Sequence, residues 1–126
     1  MARAVDIAIK HFTAMCNGDR ETLRALLADD VHYILITSIP GFPNPHEGHG
    51  AEQLMEDATR QNALDPGSLQ VLKSIGDDQQ ALIVVRVKAT FGPSPMTLLA
   101  ARHYMVDERG NITDELVIIS NYDGEV

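Results

Sequence analysis

The chain has 126 residues and a formal net charge of −8, from ten basic and eighteen acidic side chains. This length is enough for one hydrophobic core, so we expect a single domain over residues 1–126. Apolar residues make up 44% of the sequence, an ordinary globular value that argues against disorder. The basic residues are scattered, and no apolar run approaches the roughly 20 residues of a membrane-spanning helix. Nucleic acid and membrane are therefore disfavoured as partners.

The sole cysteine and the N-terminal run of the sequence bear on redox chemistry and targeting. The sole cysteine, Cys16, has no partner for an internal disulfide. The N-terminal run MARAVDIAIK is typical of the start of a helix rather than of a secretory signal peptide. We therefore expect a cytoplasmic protein.

Helical periodicity dominates the start of the chain. Apolar residues recur every three or four positions in residues 2–16, which predicts an amphipathic helix with Phe12 on its buried side. Asn17-Gly18 ends that helix. Asp19 is a good N-cap for a second helix, which is expected to stop near Asp29-Asp30.

The middle of the chain changes character. Residues 31–39, VHYILITSI, are rich in β-branched and aromatic types and predict a strand. Residues 40–50, PGFPNPHEGHG, hold three prolines and three glycines, which predicts a long irregular loop. A third helix is expected over residues 51–62, and Asp65-Pro66-Gly67 predicts a turn.

The second half of the chain alternates with a period of two. Four strand-like runs cover residues 68–75, 79–91, 96–107 and 111–122. In the second run, Ile83 and Val85 belong to a continuous apolar face and Lys88 to a polar one, so one face is predicted to be core. The element order predicts an α+β fold in which N-terminal helices pack on a curled antiparallel sheet of five strands and enclose an apolar pocket.

Several motifs in this order carry a family resemblance: the helix ending in Asn17-Gly18-Asp19, LRALLADDVHYI at 23–34, GHGAEQL at 48–54 and HYMVDERGNITDELVII at 103–119. The sequence resembles the nuclear transport factor 2-like (NTF2-like) superfamily, and within it the SnoaL-like polyketide cyclase and ketosteroid isomerase branch. The resemblance covers essentially the whole chain. It implies a cystatin-like cone that hosts isomerases, cyclases, dehydratases, epoxide hydrolases and non-catalytic binders.

The resemblance suggests three catalytic candidates. His103 matches a position where relatives often carry a polar cavity residue, and its imidazole could exchange a proton near neutral pH. Asp123 follows the last strand and could act as a base at the pocket mouth. The Tyr33 hydroxyl could bond a substrate oxygen. The alternatives are a structural or dimer-face histidine, a solvated terminal carboxylate and a core tyrosine ring.

Strand parity and the resemblance also suggest which residues line the pocket. The predicted substrate-binding residues are Phe12, Val85, Leu99, Met105, Ile119, Asn121 and His46. Arg102 is expected to point outward, on the face opposite His103. The run His46-Glu47-Gly48-His49 has zinc-ligand types but not the helical spacing of a metalloprotease motif, so no metal is predicted.

The sequence departs from the best-understood catalytic sets. Epoxide hydrolase relatives carry an Arg and two Asp on the last strands, where Ala101, His103 and Val117 are expected to stand here. Ketosteroid isomerases carry a tyrosine in the first helix, where this chain has His11-Phe12-Thr13. Both reactions are therefore disfavoured in their standard form.

Two functional hypotheses remain. The first is an enzyme without cofactor that moves protons on a small apolar carbonyl or polyketide-like compound, as a cyclase, isomerase or dehydratase. The second is a non-catalytic binder of small apolar molecules, or an assembly module, with the same fold. Both include a homodimer through the outer face of the sheet.

Overall fold

The computed structural model describes residues 3–37, 45–60, 64–91 and 94–121, and in these ranges the chain forms three α-helices and six β-strands. The helices are α1 (Arg3–Asn17), α2 (Arg20–Leu26) and α3 (Ala51–Arg60). The strands are β1 (Leu27–Thr37), β2 (His46–His49), β3 (Gln70–Gly76), β4 (Gln80–Phe91), β5 (Ser94–Val106) and β6 (Ile112–Asn121). None of these helices is long and apolar enough to cross a lipid bilayer.

One sheet contains all of the described strands, in the order β2-β1-β6-β5-β4-β3. Among these strands, β1 and β6 pair in parallel and the other neighbours pair antiparallel. The sheet is curled and not closed, and α1 lies across β4 while α3 lies against β1. The predicted α+β fold of helices packed on a curled sheet is confirmed.

Three details of the prediction are wrong. Residues of the expected loop form β2, because their backbone pairs with β1 from His32–His49 to Leu35–His46. Helix α2 ends at Leu26 rather than near Asp29-Asp30, because Leu27 is already extended and pairs with Ile112 of β6. The described sheet therefore has six strands, and its β1–β6 pair is parallel.

The hydrophobic core lies between α1 and the middle of the sheet. Ala4, Ala8 and Phe12 of α1 are buried at the spacing of one helical face. They pack with the alternate residues of β4 that include Ile83 and Val85. The predicted core face of β4 is confirmed.

The faces of β5 are the reverse of the prediction. Pairing places Arg102 opposite Ile83. Cross-strand partners project from the same face of a sheet, so Arg102 shares the buried face of Ile83. Arg102 is only 4% exposed, and the expectation that it points outward is wrong. Residues Leu99, His103 and Met105 consequently lie on the outer face.

Candidate functional site

A cavity of about 60 Å³ lies between the helices and strands β1, β5 and β6. This volume is enough for roughly four water molecules at about 15 Å³ each. Most of its wall is apolar and includes Met15, Leu23, Leu27, Leu54, Val117 and Ile119. The polar side chains that reach it are His11, Tyr33, His46, Arg102 and Glu115. An apolar cavity with a few convergent polar groups is the usual form of a small-molecule site.

Four buried residues, His11, Arg102, Tyr104 and Glu115, form a connected set that we call the polar cluster. Arg102 Nε donates a hydrogen bond to Tyr104 Oη over 2.7 Å, and another guanidinium nitrogen donates to Glu115 Oε1. Tyr104 Oη lies 3.1 Å from His11 Nδ1. Because Tyr104 and Glu115 are cross-strand partners, the pairing of β5 with β6 sets the geometry of the cluster.

Phe12 supports the polar cluster from α1. The Arg102 guanidinium carbon lies 4.8 Å from the centroid of the Phe12 ring, within the range of a cation–π contact. Phe12 was predicted to contact substrate, but its ring packs against Arg102 and is not part of the cavity wall. One turn of α1 therefore supplies both the ring under the guanidinium and the imidazole of His11.

Burial determines the protonation of the polar cluster. Burial lowers the pKa of His11 to about 4, with attraction to Glu115 opposing the shift and repulsion from Arg102 adding to it. His11 is therefore neutral at pH 7, and its 4.0 Å approach to Glu115 is not an ion pair at that pH. Burial likewise raises the pKa of Tyr104 above its ordinary value, so the phenol keeps its proton.

Arg102 is the cation of the polar cluster. Burial acts to lower its pKa, but attraction to Tyr104 and Glu115 outweighs burial and the pKa is raised. The guanidinium therefore stays charged beside the Glu115 carboxylate. A buried charge of this kind needs a partner, because an unpaired one is strongly destabilising.

One carboxylate oxygen of Glu115 lacks a hydrogen-bond partner among the described residues. Its Oε2 is buried, and no hydrogen-bond partner for it exists in the described part of the chain. A buried polar atom without a partner costs about 1–3 kcal/mol, and more when it is charged. Glu115 is also one of the residues that line the cavity.

Glu115 was missed in the sequence, although a signal for it existed. In β6, Glu115 alternates with Val117 and Ile119, so it lies on the apolar face of that strand. A carboxylate in an otherwise apolar stripe is unusual, because Glu is almost never fully buried without a partner. That partner, Arg102, had been assigned to the wrong face of β5.

Three of the predicted site residues line the cavity: Tyr33, His46 and Ile119. The Tyr33 ring is buried, with its centroid 5.8 Å from that of His46. The structure therefore brings Tyr33 and His46 together beside the cavity. Their roles toward a substrate stay predictions.

The other predicted site residues lie elsewhere or outside the described residues. His103, Leu99 and Met105 are on the outer face, where His103 Nε2 lies 3.1 Å from Gln80 Oε1, so their predicted placement in this cavity is wrong. Val85 is fully buried in the core between sheet and α1. The backbone of Asn121, in β6, pairs with that of Leu98 in β5. The Asn121 side chain and Asp123 lie outside the described residues.

Comparison with known proteins places this geometry on a known fold. No protein-family model matches the sequence, and no curated protein matches it significantly. Among solved structures, Rv0760c from Mycobacterium tuberculosis in complex with estradiol-17β-hemisuccinate has a TM-score of 0.74 at 18% identity, over 98% of this chain and 95% of that one. An NTF2-like protein from Burkholderia xenovorans has a TM-score of 0.70 at 16% identity, over 93% and 88%. The chain has the NTF2-like fold.

An LEH-like epoxide hydrolase from Mycobacterium tuberculosis has a TM-score of 0.71 at 20% identity, over 93% of this chain and 82% of that one. The NTF2-like fold is thus shared across nearly the whole of this chain by an LEH-like epoxide hydrolase and by a protein solved in complex with estradiol-17β-hemisuccinate. The predicted resemblance to the NTF2-like superfamily is confirmed at the level of fold. A fold of this kind does not determine function, which depends on the residues of the site.

Within this NTF2-like fold, Gly48 is required where β2 passes the Tyr33 ring. A Cβ atom at Gly48 would overlap Tyr33 Cζ and Oη, because the two residues are cross-strand partners. We expect Gly48→Ala to displace the ring and to lower the free energy of unfolding by about 1–3 kcal/mol, the usual cost of overpacking. Urea unfolding measures the loss.

The matched control is Gly67→Ala in the turn before β3. There a Cβ would meet only Asp65 Oδ1 at 3.5 Å, an ordinary contact. This variant should stay within about 0.5 kcal/mol of the original chain. Equal stability of the two variants would show that Tyr33 does not press on β2.

Proposed function

We propose that the chain binds a small, mostly apolar molecule in the cavity and acts on it by acid–base proton transfer without a cofactor, with Glu115 as the base. The observation that supports this proposal is Glu115, a residue of the mostly apolar cavity wall whose buried Oε2 has no hydrogen-bond partner in the described structure. The reaction class is that of a cyclase, isomerase or dehydratase. The substrate class is an apolar carbonyl or polyketide-like compound.

The polar cluster suits a base of this kind. Arg102 holds Oε1 and leaves Oε2 to accept a proton from a substrate atom about 2.6–3.2 Å away. The apolar wall keeps the surroundings of low polarity, which strengthens the electrostatic interactions of the carboxylate. Tyr33 and His46 lie on the same cavity and are the candidates to bond a substrate oxygen.

Two solved structures with the same fold support a ligand of this character. Rv0760c is described in complex with estradiol-17β-hemisuccinate, and a computationally designed protein with a TM-score of 0.74 at 18% identity is described as a 17-OHP binder. The fold therefore accommodates small organic ligands in other proteins. The cavity of about 60 Å³ in this chain points to a smaller ligand.

The hydrogen bonds within the polar cluster favour the second candidate, a non-catalytic binder, because they engage its members with one another. In either case we propose a cytoplasmic homodimer that associates through the outer face of the sheet. Exposed apolar side chains on that face support this arrangement. Ile36 and Ile118 are neighbours in β1 and β6, at 38% and 47% exposure.

Glu115→Gln tests the catalytic proposal, because the amide keeps the shape of the carboxylate but cannot act as a base. We expect NMR-detected exchange of α-protons for deuterium in small cyclic ketones to fall by about 10²-fold or more. His103→Ala is the competing variant, since the sequence suggested His103. If His103→Ala lowers the exchange and Glu115→Gln does not, Glu115 is not the base. Binding without exchange by the unmodified protein would support the non-catalytic binder.

A further inference from the structure

Two atoms of the polar cluster face each other across a gap. His11 Nε2 and Glu115 Oε2 are 4.0 Å apart, beyond the usual 2.7–3.2 Å of a hydrogen bond. Both residues line the cavity, and Oε2 has no other partner among the described residues. The gap therefore lies between two residues of the cavity wall.

The bonds of Tyr104 indicate which of the two atoms is the donor. Tyr104 Oη accepts from Arg102 Nε and keeps one proton to donate, for which His11 Nδ1 at 3.1 Å is the acceptor in the described contacts. A neutral imidazole that accepts at Nδ1 carries its proton on Nε2. The gap is thus flanked by an N–H donor of His11 and a carboxylate acceptor of Glu115.

One hydroxyl group satisfies both atoms. His11 Nε2 and Glu115 Oε2 are 4.0 Å apart, so an oxygen about 2.8 Å from each forms an angle of about 90° between them. That angle suits an oxygen that accepts one hydrogen bond and donates another. We propose that the site selects a neutral ligand hydroxyl, which accepts from His11 Nε2 and donates to Glu115 Oε2.

This inference rests on the proposed function and narrows the class of ligand. A ketone oxygen can accept from His11 but has no proton for Glu115 Oε2. A carboxylate or phosphate would bring a second negative charge against Glu115 inside a low-polarity cavity. The ligand that the gap holds most tightly is therefore a small uncharged alcohol, phenol or enol with an apolar body, and a carbonyl substrate binds more weakly. Water offers the same O–H chemistry, so the test separates it from an organic ligand.

The test compares three ligands built on one ring: cyclopentanol, cyclopentanone and cyclopentanecarboxylate. Their dissociation constants can be measured by ligand-observed NMR titration. We expect the alcohol to bind at least about 10-fold more tightly than the ketone, because only the alcohol satisfies the buried carboxylate oxygen. The carboxylate should bind most weakly.

Glu115→Gln gives the sharper result, because it replaces the acceptor in the gap by an amide that can donate. The preference should then reverse in favour of the ketone, which a simple loss of structure cannot produce. Lys88→Ala, on the exposed face of β4, is the control and should keep the original ratio.

Three outcomes would overturn the hydroxyl proposal, and a fourth would reject the catalytic proposal alone. Ketone binding as tight as alcohol binding in the original chain overturns the hydroxyl proposal even if Glu115→Gln does not fold. An unchanged ratio in a folded Glu115→Gln protein overturns it as well. Binding of none of the three ligands would assign the gap to water alone and reject an organic hydroxyl. Absence of α-proton exchange in the original chain, with the alcohol preference intact, would reject only the catalytic proposal.

Discussion

Replacing Arg102 by methionine should lower the free energy of unfolding by about 3–5 kcal/mol. Methionine keeps much of the side-chain volume but removes the buried cation beside Glu115. The variant leaves a buried carboxylate without its charged partner, which is one of the most costly single changes in a protein interior. Tyr104 also loses the hydrogen bond from Arg102 Nε. Urea unfolding followed by circular dichroism measures the effect.

Two control variants separate charge from packing. The double variant Arg102→Met with Glu115→Gln removes both charges and should recover most of the loss, because neutral replacement of a buried ion pair is often nearly free. Arg24→Met removes an arginine that pairs with Asp29 and Glu52 at the surface, so it should cost no more than about 1 kcal/mol. Equal losses for Arg102→Met and Arg24→Met would mean that the buried pair contributes no more than the surface pairs.

Acidification should destabilise the chain through His11. Its pKa is about 4 in the folded chain and 6.5 as an ordinary histidine. Between these pH values the unfolded chain binds a proton that the folded chain does not. The contribution of His11 to the free energy of unfolding is therefore fully present above about pH 6.5 and is lost as the pH drops towards 4. The full shift corresponds to on the order of 3 kcal/mol. Urea unfolding at a series of pH values measures it.

His11→Gln isolates this contribution from the carboxylates that titrate in the same range. The variant removes the imidazole, so its stability should decline less between pH 6.5 and pH 4 than that of the original chain. The difference between the two pH profiles is the His11 contribution. Parallel profiles would show that His11 takes up its proton equally well in the folded and unfolded chains.

Local patterns predicted much of the fold. The period near four placed α1, and strict alternation in β4 identified the face that includes Ile83 and Val85 as core. The edge strand β2 was not predictable in this way, because its four residues have little strand propensity and are held by pairing with β1. Pairing between distant segments is not encoded in any short window of sequence.

The candidate site depended on a choice that alternation alone could not make. Both faces of β5 carry apolar residues, for example Leu98 on one and Leu99 on the other, so the apolar pattern does not favour one of them. The pairing with β4 decides, since Arg102 stands opposite Ile83 and must share its buried face. The prior expectation that Arg and Glu stay at the surface then concealed the polar cluster. Tyr33 and Ile119 were placed beside the cavity because their strands were assigned correctly, whereas His46 was predicted in a loop and lies in β2.

The parallel pairing of β1 with β6 has a consequence for biosynthesis. Leu27 and Ile112 meet in the sheet although they lie 85 positions apart in the sequence. A ribosome releases β1 well before β6, so the edge of β1 that β6 covers has no partner while the residues between the two strands are synthesised. Contacts of such long sequence separation also slow folding, because a long loop has to close first. The nascent chain therefore exposes the unpaired edge of an apolar strand to chaperones and to other nascent chains until β6 emerges.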